Sequence, residues 1–170
     1  MLIGGQAVLL HGRPRLTEDI DVTLGAAPDR LPDLLEACRE LGLDPLPEEP
    51  ERFARETFVL PVWRPDDRLR VDFIFSTTPY ERQAIERATN VELEGTAVPF
   101  AAAEDLVLHK LFAGRPRDIE DAEGVVRRKG GTLDWGYLEH WAGEFAAVPG
   151  REDLARRVEA LRRAGDGPED

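Results

Sequence analysis

Asp19-Ile20-Asp21-Val22 is the most constraining stretch of the chain, because it follows the glycine pair Gly4-Gly5 after thirteen residues. Alternation of acid and β-branched residue reads as a strand, Asp19 to Leu24, with both carboxylates on one face. At a rise of roughly 3.3 Å per residue the two Cα atoms stand about 6.6 Å apart, so their oxygens can share a divalent cation. Two glycines opening the apolar run Gln6-Ala7-Val8-Leu9-Leu10 suit a helix N-terminus, whose first N–H groups have no partner within the helix and can hold a phosphate. A phosphate cradle beside paired carboxylates is the apparatus that transfer of a nucleotidyl group requires.

A third carboxylate lies further on. Leu69-Arg70-Val71-Asp72-Phe73-Ile74-Phe75 reads as an apolar strand broken by one acid, which needs a cation or donors if it is buried. If that strand neighbours the first at about 4.8 Å, Asp72 completes a triad able to hold two Mg²⁺ (or Mn²⁺) ions. Asp72 would then help the attacking hydroxyl lose its proton. Arg70 offers a competing reading, in which it pairs with Asp72 and makes it structural.

Elsewhere the pattern gives a helix from about Gly5 to His11, an amphipathic helix Leu31 to Leu41, and a proline-rich loop Asp44 to Glu51. Strands Thr57 to Trp63 and Leu69 to Phe75 form a hairpin through Pro65-Asp66-Asp67, followed by a helix Tyr80 to Ala88. A smaller hairpin turns at Gly95. Beyond Phe100 the chain reads as helices: Ala103 to Ala113, Asp118 to Lys129, Leu133 to Ala147 and Glu152 to Arg163. The expected class is α+β: a small mixed or antiparallel sheet with flanking helices, then a C-terminal helical region. The boundaries are 1–100 for the α/β core, 101–165 for helices packed on it, and 166–170 for a disordered tail.

The 170 residues carry a net charge of −12, which disfavours a general nucleic-acid binder and suits a protein that gathers Mg²⁺. Local basic clusters at Arg115, Arg117, Arg127, Arg128, Lys129 and at Arg151 to Arg163 read first as solvated helix faces, with an RNA-docking patch as the alternative. No apolar run is long enough to span a membrane. The N-terminus has no basic flank of a signal peptide, and Cys38 is the sole cysteine, so the expectation is a cytoplasmic protein with Cys38 as inert core. Only two of the 22 basic residues are lysine. Lys110 falls on the buried arc of its helix between Leu106 and Val107, where an ammonium snorkels to water or meets an anion. Asp118 projects among Ala122, Val125 and Val126 or caps its helix, and Asp121 lies at the arc's edge as surface. His11, His109 and His140 lack zinc-site spacing and read as structural. Trp135, Tyr137, Leu138, Trp141 and Phe145 are helically spaced, as core or a dimer seam.

Gly4-Gly5, Arg15-x-Thr17-x-Asp19-Ile20-Asp21 and Asp72 together resemble the nucleotidyltransferase superfamily of DNA polymerase beta, nearest to its AbiEii-type and MenT-like bacterial members. Ala103-Glu104-Asp105-Leu106, Lys110 and Arg117-Asp118-Ile119-Glu120-Asp121 are similar to the later signature of that group, so the likeness spans roughly residues 2 to 145. The resemblance implies triphosphate binding by Gly4 and Gly5, metal binding by Asp19, Asp21 and Asp72, and a phosphate ligand in Lys110 oriented by Asp118. Arg15 and Thr17 belong to the nucleotide-binding loop, with Arg15 meeting either a phosphate or Asp19. Many members have serine where this chain has Gly5. A helix precedes the glycine pair in the family pattern, whereas this chain starts at Met1. A dimer partner covering that edge, a start assigned too late, or a reduced domain each meets that difference.

The expected activity is therefore Mg²⁺-dependent transfer of a nucleoside monophosphate from an NTP such as ATP to a hydroxyl. The acceptor is a protein or small molecule on the charge argument, or a tRNA 3′ end by likeness to toxins, which also implies a cognate antitoxin. Two other readings stand beside it. One is a non-catalytic partner-binding module on the same fold. The other is a glycosyltransferase using Asp-x-Asp, which lacks the longer parallel domain expected of it.

Overall fold

The computed structural model describes residues 1–165; the tail expected at 166–170 lies outside the described residues. The described chain is α+β, with a small mixed sheet, flanking helices and a helical C-terminal stretch. Two compact units are present. The first comprises Met1–Gln6 and Leu16–Phe100, and the second comprises Ala7–Arg15 and the chain from Ala101 onward.

In the first unit, strands β1 (Asp19–Leu24), β2 (Asp44–Pro45), β3 (Val59–Arg64) and β4 (Leu69–Phe75) form a sheet in the order β1-β4-β3-β2. The β3–β4 pair is the expected antiparallel hairpin, while β1 runs parallel to β4. Period-2 alternation sorts the residues between two faces. Ile20, Val22 and Leu24 of β1, with Val71, Phe73 and Phe75 of β4 and Leu60 and Val62 of β3, pack against Leu31 and Cys38 of helix α2 (Leu31–Glu40). Burying each such aliphatic or aromatic side chain contributes about 1.5–3 kcal/mol, so this face fixes the register. Asp19, Asp21 and Asp72 are thereby turned to the opposite face. Burial raises the pKa of the Cys38 thiol, as suits an inert core residue.

The stretch read as a proline-rich loop, Asp44 to Glu51, holds one element and the start of another that the sequence did not disclose. Asp44–Pro45 pairs with Trp63 and Val62 as the edge strand β2, and Pro50–Thr57 forms helix α3. Pro50 sits at the first helical position, where a missing N–H costs nothing. Phe58 ends that helix in the left-handed conformation, its N–H bonded to the Ala54 carbonyl. The next strand therefore begins at Val59, two residues later than the expected Thr57. On the other side of β3, the Pro61 carbonyl accepts from Leu46 N–H, so its missing N–H falls on the β2 edge.

Helix α4 (Pro79–Glu86) opens with a capping box between Thr78 and Glu81. Strands β5 (Thr89–Leu93) and β6 (Thr96–Phe100) make the second hairpin around Gly95. Leu2 bridges Val22 of β1 and Phe100 of β6, and Ile3 N–H donates to the Asp21 carbonyl at 3.0 Å. Those bonds set the start of helix α1 (Gly4–His11) beside β1.

The second unit is built from α5 (Ala103–Ala113), α6 (Pro116–Lys129), α7 (Trp135–Phe145) and α8 (Leu154–Gly165) around Leu106, Val107, Leu111, Val125, Leu138 and Val158. Of the aromatic stripe on α7, Leu138 is fully buried, Phe145 stacks edge-on with Phe112 at 5.4 Å, and the Tyr137 hydroxyl donates to buried Asp105. The stripe is thus packing surface within this unit. Among the described residues no helix is long and apolar enough to cross a membrane.

Candidate active site

The parallel ladder sets Asp21 of β1 directly opposite Asp72 of β4, with Asp19 opposite Arg70 two pairs earlier on the same face. One oxygen from each of Asp19, Asp21 and Asp72 lies within 4.8 Å of the others, and all three side chains are half-buried. That spacing and an all-oxygen donor set fit a hard divalent cation such as Mg²⁺ or Mn²⁺.

The glycine pair adjoins this cluster for a reason visible only in three dimensions. Gly4 has φ +59°, and a Cβ there would stand 1.8 Å from Asp21 Oδ2 and 2.7 Å from its Cγ. Only a residue without a side chain admits the Asp21 carboxylate over the helix start. A Cβ on Gly5 would stand 2.3 Å from Thr17 Oγ1, so the Thr17 hydroxyl fills the space a side chain at residue 5 would need. Thr17 in turn donates to Asp19, to Oδ1 at 3.1 Å and to the backbone carbonyl at 3.3 Å. The loop thus braces the first carboxylate while the glycines make room for the second.

Arg70 does pair with Asp72. Its Nε donates to Oδ1 at 3.1 Å and its Nη2 to Oδ2 at 3.3 Å. The hydrogen bond to Asp72, and then the charges of Asp72, Asp19 and Asp21, raise the pKa of the guanidinium. Asp72 therefore belongs both to the carboxylate cluster and to an ion pair with Arg70.

Within the second unit, Lys110 is buried at 6% exposure and its ammonium faces Asp118 Oδ1 at 3.0 Å and Asp121 Oδ2 at 2.9 Å. Asp118 also accepts from Arg115, and Asp121 from Arg15 through both oxygens. For each carboxylate, burial alone would raise the pKa; the hydrogen bonds from Arg115 and Lys110 to Asp118, and from Arg15 and Lys110 to Asp121, outweigh it and hold both below the usual range. Three cations, Lys110, Arg15 and Arg115, surround these two carboxylates.

Three expectations change here. Asp121 is not surface but a buried partner of Lys110 and Arg15, and Arg15 bonds Asp121, the option the sequence did not raise. Asp118 is not the helix cap, because α6 opens at Pro116 with Arg115 at the N-cap. The spacing Asp118-x-x-Asp121 puts both acids on one helix face and was the available signal. No signal in the sequence couples Arg15 to a residue 106 positions away. His11 is buried and its Nε2–H donates to the Ala101 carbonyl at 2.8 Å, with burial lowering its pKa.

Residues 1–164 match the family model described as nucleotidyl transferase AbiEii toxin, type IV toxin–antitoxin system. The chain belongs to the AbiEii nucleotidyltransferase family. No curated protein matches it. Among solved structures it is similar to an antigenic nucleotidyltransferase-like protein from Paracoccidioides brasiliensis, at 17% identity and a TM-score of 0.49, over 94% of this chain and 83% of that one. Family membership makes nucleotidyl transfer the chemistry against which the carboxylates of β1 and β4 are to be judged.

Proposed function

We propose that the chain is a Mg²⁺-dependent nucleotidyltransferase that moves a nucleoside monophosphate from an NTP to a hydroxyl acceptor. The convergence of Asp19, Asp21 and Asp72 beside a glycine pair whose Cβ positions are filled by Asp21 and Thr17 carries this reading. The three carboxylates would hold the metal, which when bound acidifies the acceptor hydroxyl and neutralises the departing pyrophosphate. Backbone N–H groups at Gly4 and Gly5 hold phosphate oxygens at the start of α1. Thr17 fixes Asp19 through its hydroxyl. An oxygen of Asp72 takes the proton of the attacking hydroxyl as its oxygen bonds to the α-phosphorus and the bond to the bridging oxygen of pyrophosphate breaks. Lys110, oriented by Asp118, is a phosphate ligand of this reading: two of its three N–H groups face carboxylates, which leaves one for an anion.

The acceptor reading turns on where the charge lies. The first unit carries 19 acidic and nine basic residues, the described part of the second 12 and 13. In the second unit Arg13, Arg117 and Arg127 line a depression of about 380 Å³ together with Glu120 and Asp121, and Arg13, Arg127 and Arg128 line an adjoining one of about 460 Å³ with no carboxylate among its described lining residues. Arg13 packs on α6 because Gly124 has no side chain, and Arg128 donates to the Gly12 carbonyl at 3.0 Å. This concentration of guanidinium groups favours an RNA hydroxyl over a protein or small molecule. The toxin in the family's description further implies a cognate antitoxin.

The test incubates the protein with each labelled NTP, Mg²⁺ and total cell extract. Label is expected on RNA, and Asp19→Asn or Asp21→Asn abolishes it. Label persisting in either variant refutes the site assignment, and label on protein alone refutes the acceptor.

A further inference from the structure

Asp72 gives both of its oxygens to Arg70, and that pairing is hard to explain as a stability device. Arg70 is 48% exposed and Asp72 19%, a setting in which an ion pair is worth about 0–1 kcal/mol. The pairing joins residues two apart on one strand, so it ties no elements together. What it does is place a guanidinium against the third carboxylate of the cluster, on the strand position directly across from Asp19. Asp19, Asp21, Arg70 and Asp72 thus occupy two alternate pairs of the β1–β4 ladder, neighbours on the face turned from the core. A fixed positive charge there opposes a dication, and it engages the oxygens a dication would need. Arg70 is also exposed enough to swing away without disturbing the sheet.

Resting on the reading of the triad as a metal site, we propose that Arg70 is a positioning residue that guards Asp72. It holds Asp72 while the cluster carries no cation, weakens the binding of a free divalent ion, and releases Asp72 when the ion arrives with a triphosphate. Phosphate oxygens offer the guanidinium a planar, bidentate partner of higher charge than one carboxylate. Cation and nucleotide therefore bind with positive coupling, and a site facing solvent stays closed to the ion alone.

Titrating Mn²⁺ alone, followed by electron paramagnetic resonance of the free ion, tests this in the full chain as wild type, Arg70→Gln, Arg70→Lys and Asp21→Asn. A second set of titrations adds α,β-methylene ATP. Arg70→Gln is expected to bind Mn²⁺ alone about tenfold more tightly than wild type, from removal of one nearby unit charge in a half-exposed site. Arg70→Lys, which keeps the charge, stays near wild type. The analogue sharpens Mn²⁺ affinity in wild type by a larger factor than in Arg70→Gln. Equal or weaker Mn²⁺ binding in Arg70→Gln, or no binding in either protein, overturns the guard. Loss of binding in Asp21→Asn with no change in Arg70→Gln defeats the guard and leaves the triad intact; full binding in Asp21→Asn defeats both. Thermal melts of each variant confirm that the compared chains are folded.

Discussion

Gly4→Ala isolates the contact on which the carboxylate cluster rests. The substitution has two separable costs. Holding alanine at φ +59° costs about 1–2 kcal/mol, for the ordinary reason that an L side chain crowds the backbone there. The second cost is a collision: the new methyl would stand 1.8 Å from Asp21 Oδ2, so the carboxylate must retreat by more than an ångström. Magnesium holds its oxygens at about 2.0–2.1 Å with little tolerance, so such a retreat removes one of the three ligands proposed for it. A misplacement of that size costs about a hundredfold in rate, and losing a ligand outright costs more. Gly42→Ala supplies the control, since Gly42 has φ +66° with nothing within 4 Å of its imagined Cβ. Both variants should lower Tm by about 2–8 °C for a chain of this length. Only Gly4→Ala should lose nucleotidyl labelling, by at least about a hundredfold. Matching melts with labelling in Gly4→Ala within about threefold of Gly42→Ala would show that Asp21 does not need the space above Gly4.

Gly5→Ala should destabilise the chain through Thr17, and Thr17→Gly in the same chain should recover most of that loss. Simple addition of the two losses in urea melts would refute the contact. Lys110→Met leaves Asp118 and Asp121 each with one arginine, so a loss near the low end for a broken buried pair, about 3 kcal/mol, is expected at neutral pH. Both carboxylates have pKa values held below their unfolded value of about 3.9, so their contribution is complete above that value and is lost as pH falls through the folded one. The gap between wild type and Lys110→Met should therefore be level from about pH 5 to 7 and narrow below about pH 4. A gap as wide at pH 3 as at pH 7 contradicts the ion cluster.

How far the sequence carried depended on whether the deciding physics was local. The bounds of β1 and β4 were legible to the residue, because period-2 alternation of Asp19-Ile20-Asp21-Val22 and Leu69 to Phe75 is a local pattern. Helix α3 was not, because prolines at 45, 47 and 50 read as loop signals and Pro50 starts a helix instead of preventing one. Parallel pairing of β1 with β4, and so the meeting of Asp21 with Asp72, depends on chain topology that no local window contains. The glycine pair was noticed for its backbone N–H groups. Its steric role, making room for Asp21 and Thr17, involves side chains more than ten residues away. Burial of Lys110 followed from the helical wheel, but its carboxylate partners needed the second helix in place.

Short, proline-interrupted β2 on one margin of the sheet and the Leu2 bridge on the other have a bearing on how copies of this chain can meet. A strand of two residues facing Pro61 offers an incoming backbone almost no run of donors and acceptors. Polymerisation by adding strand to strand is closed at that margin, and any contact between copies there has to be made by side-chain surfaces.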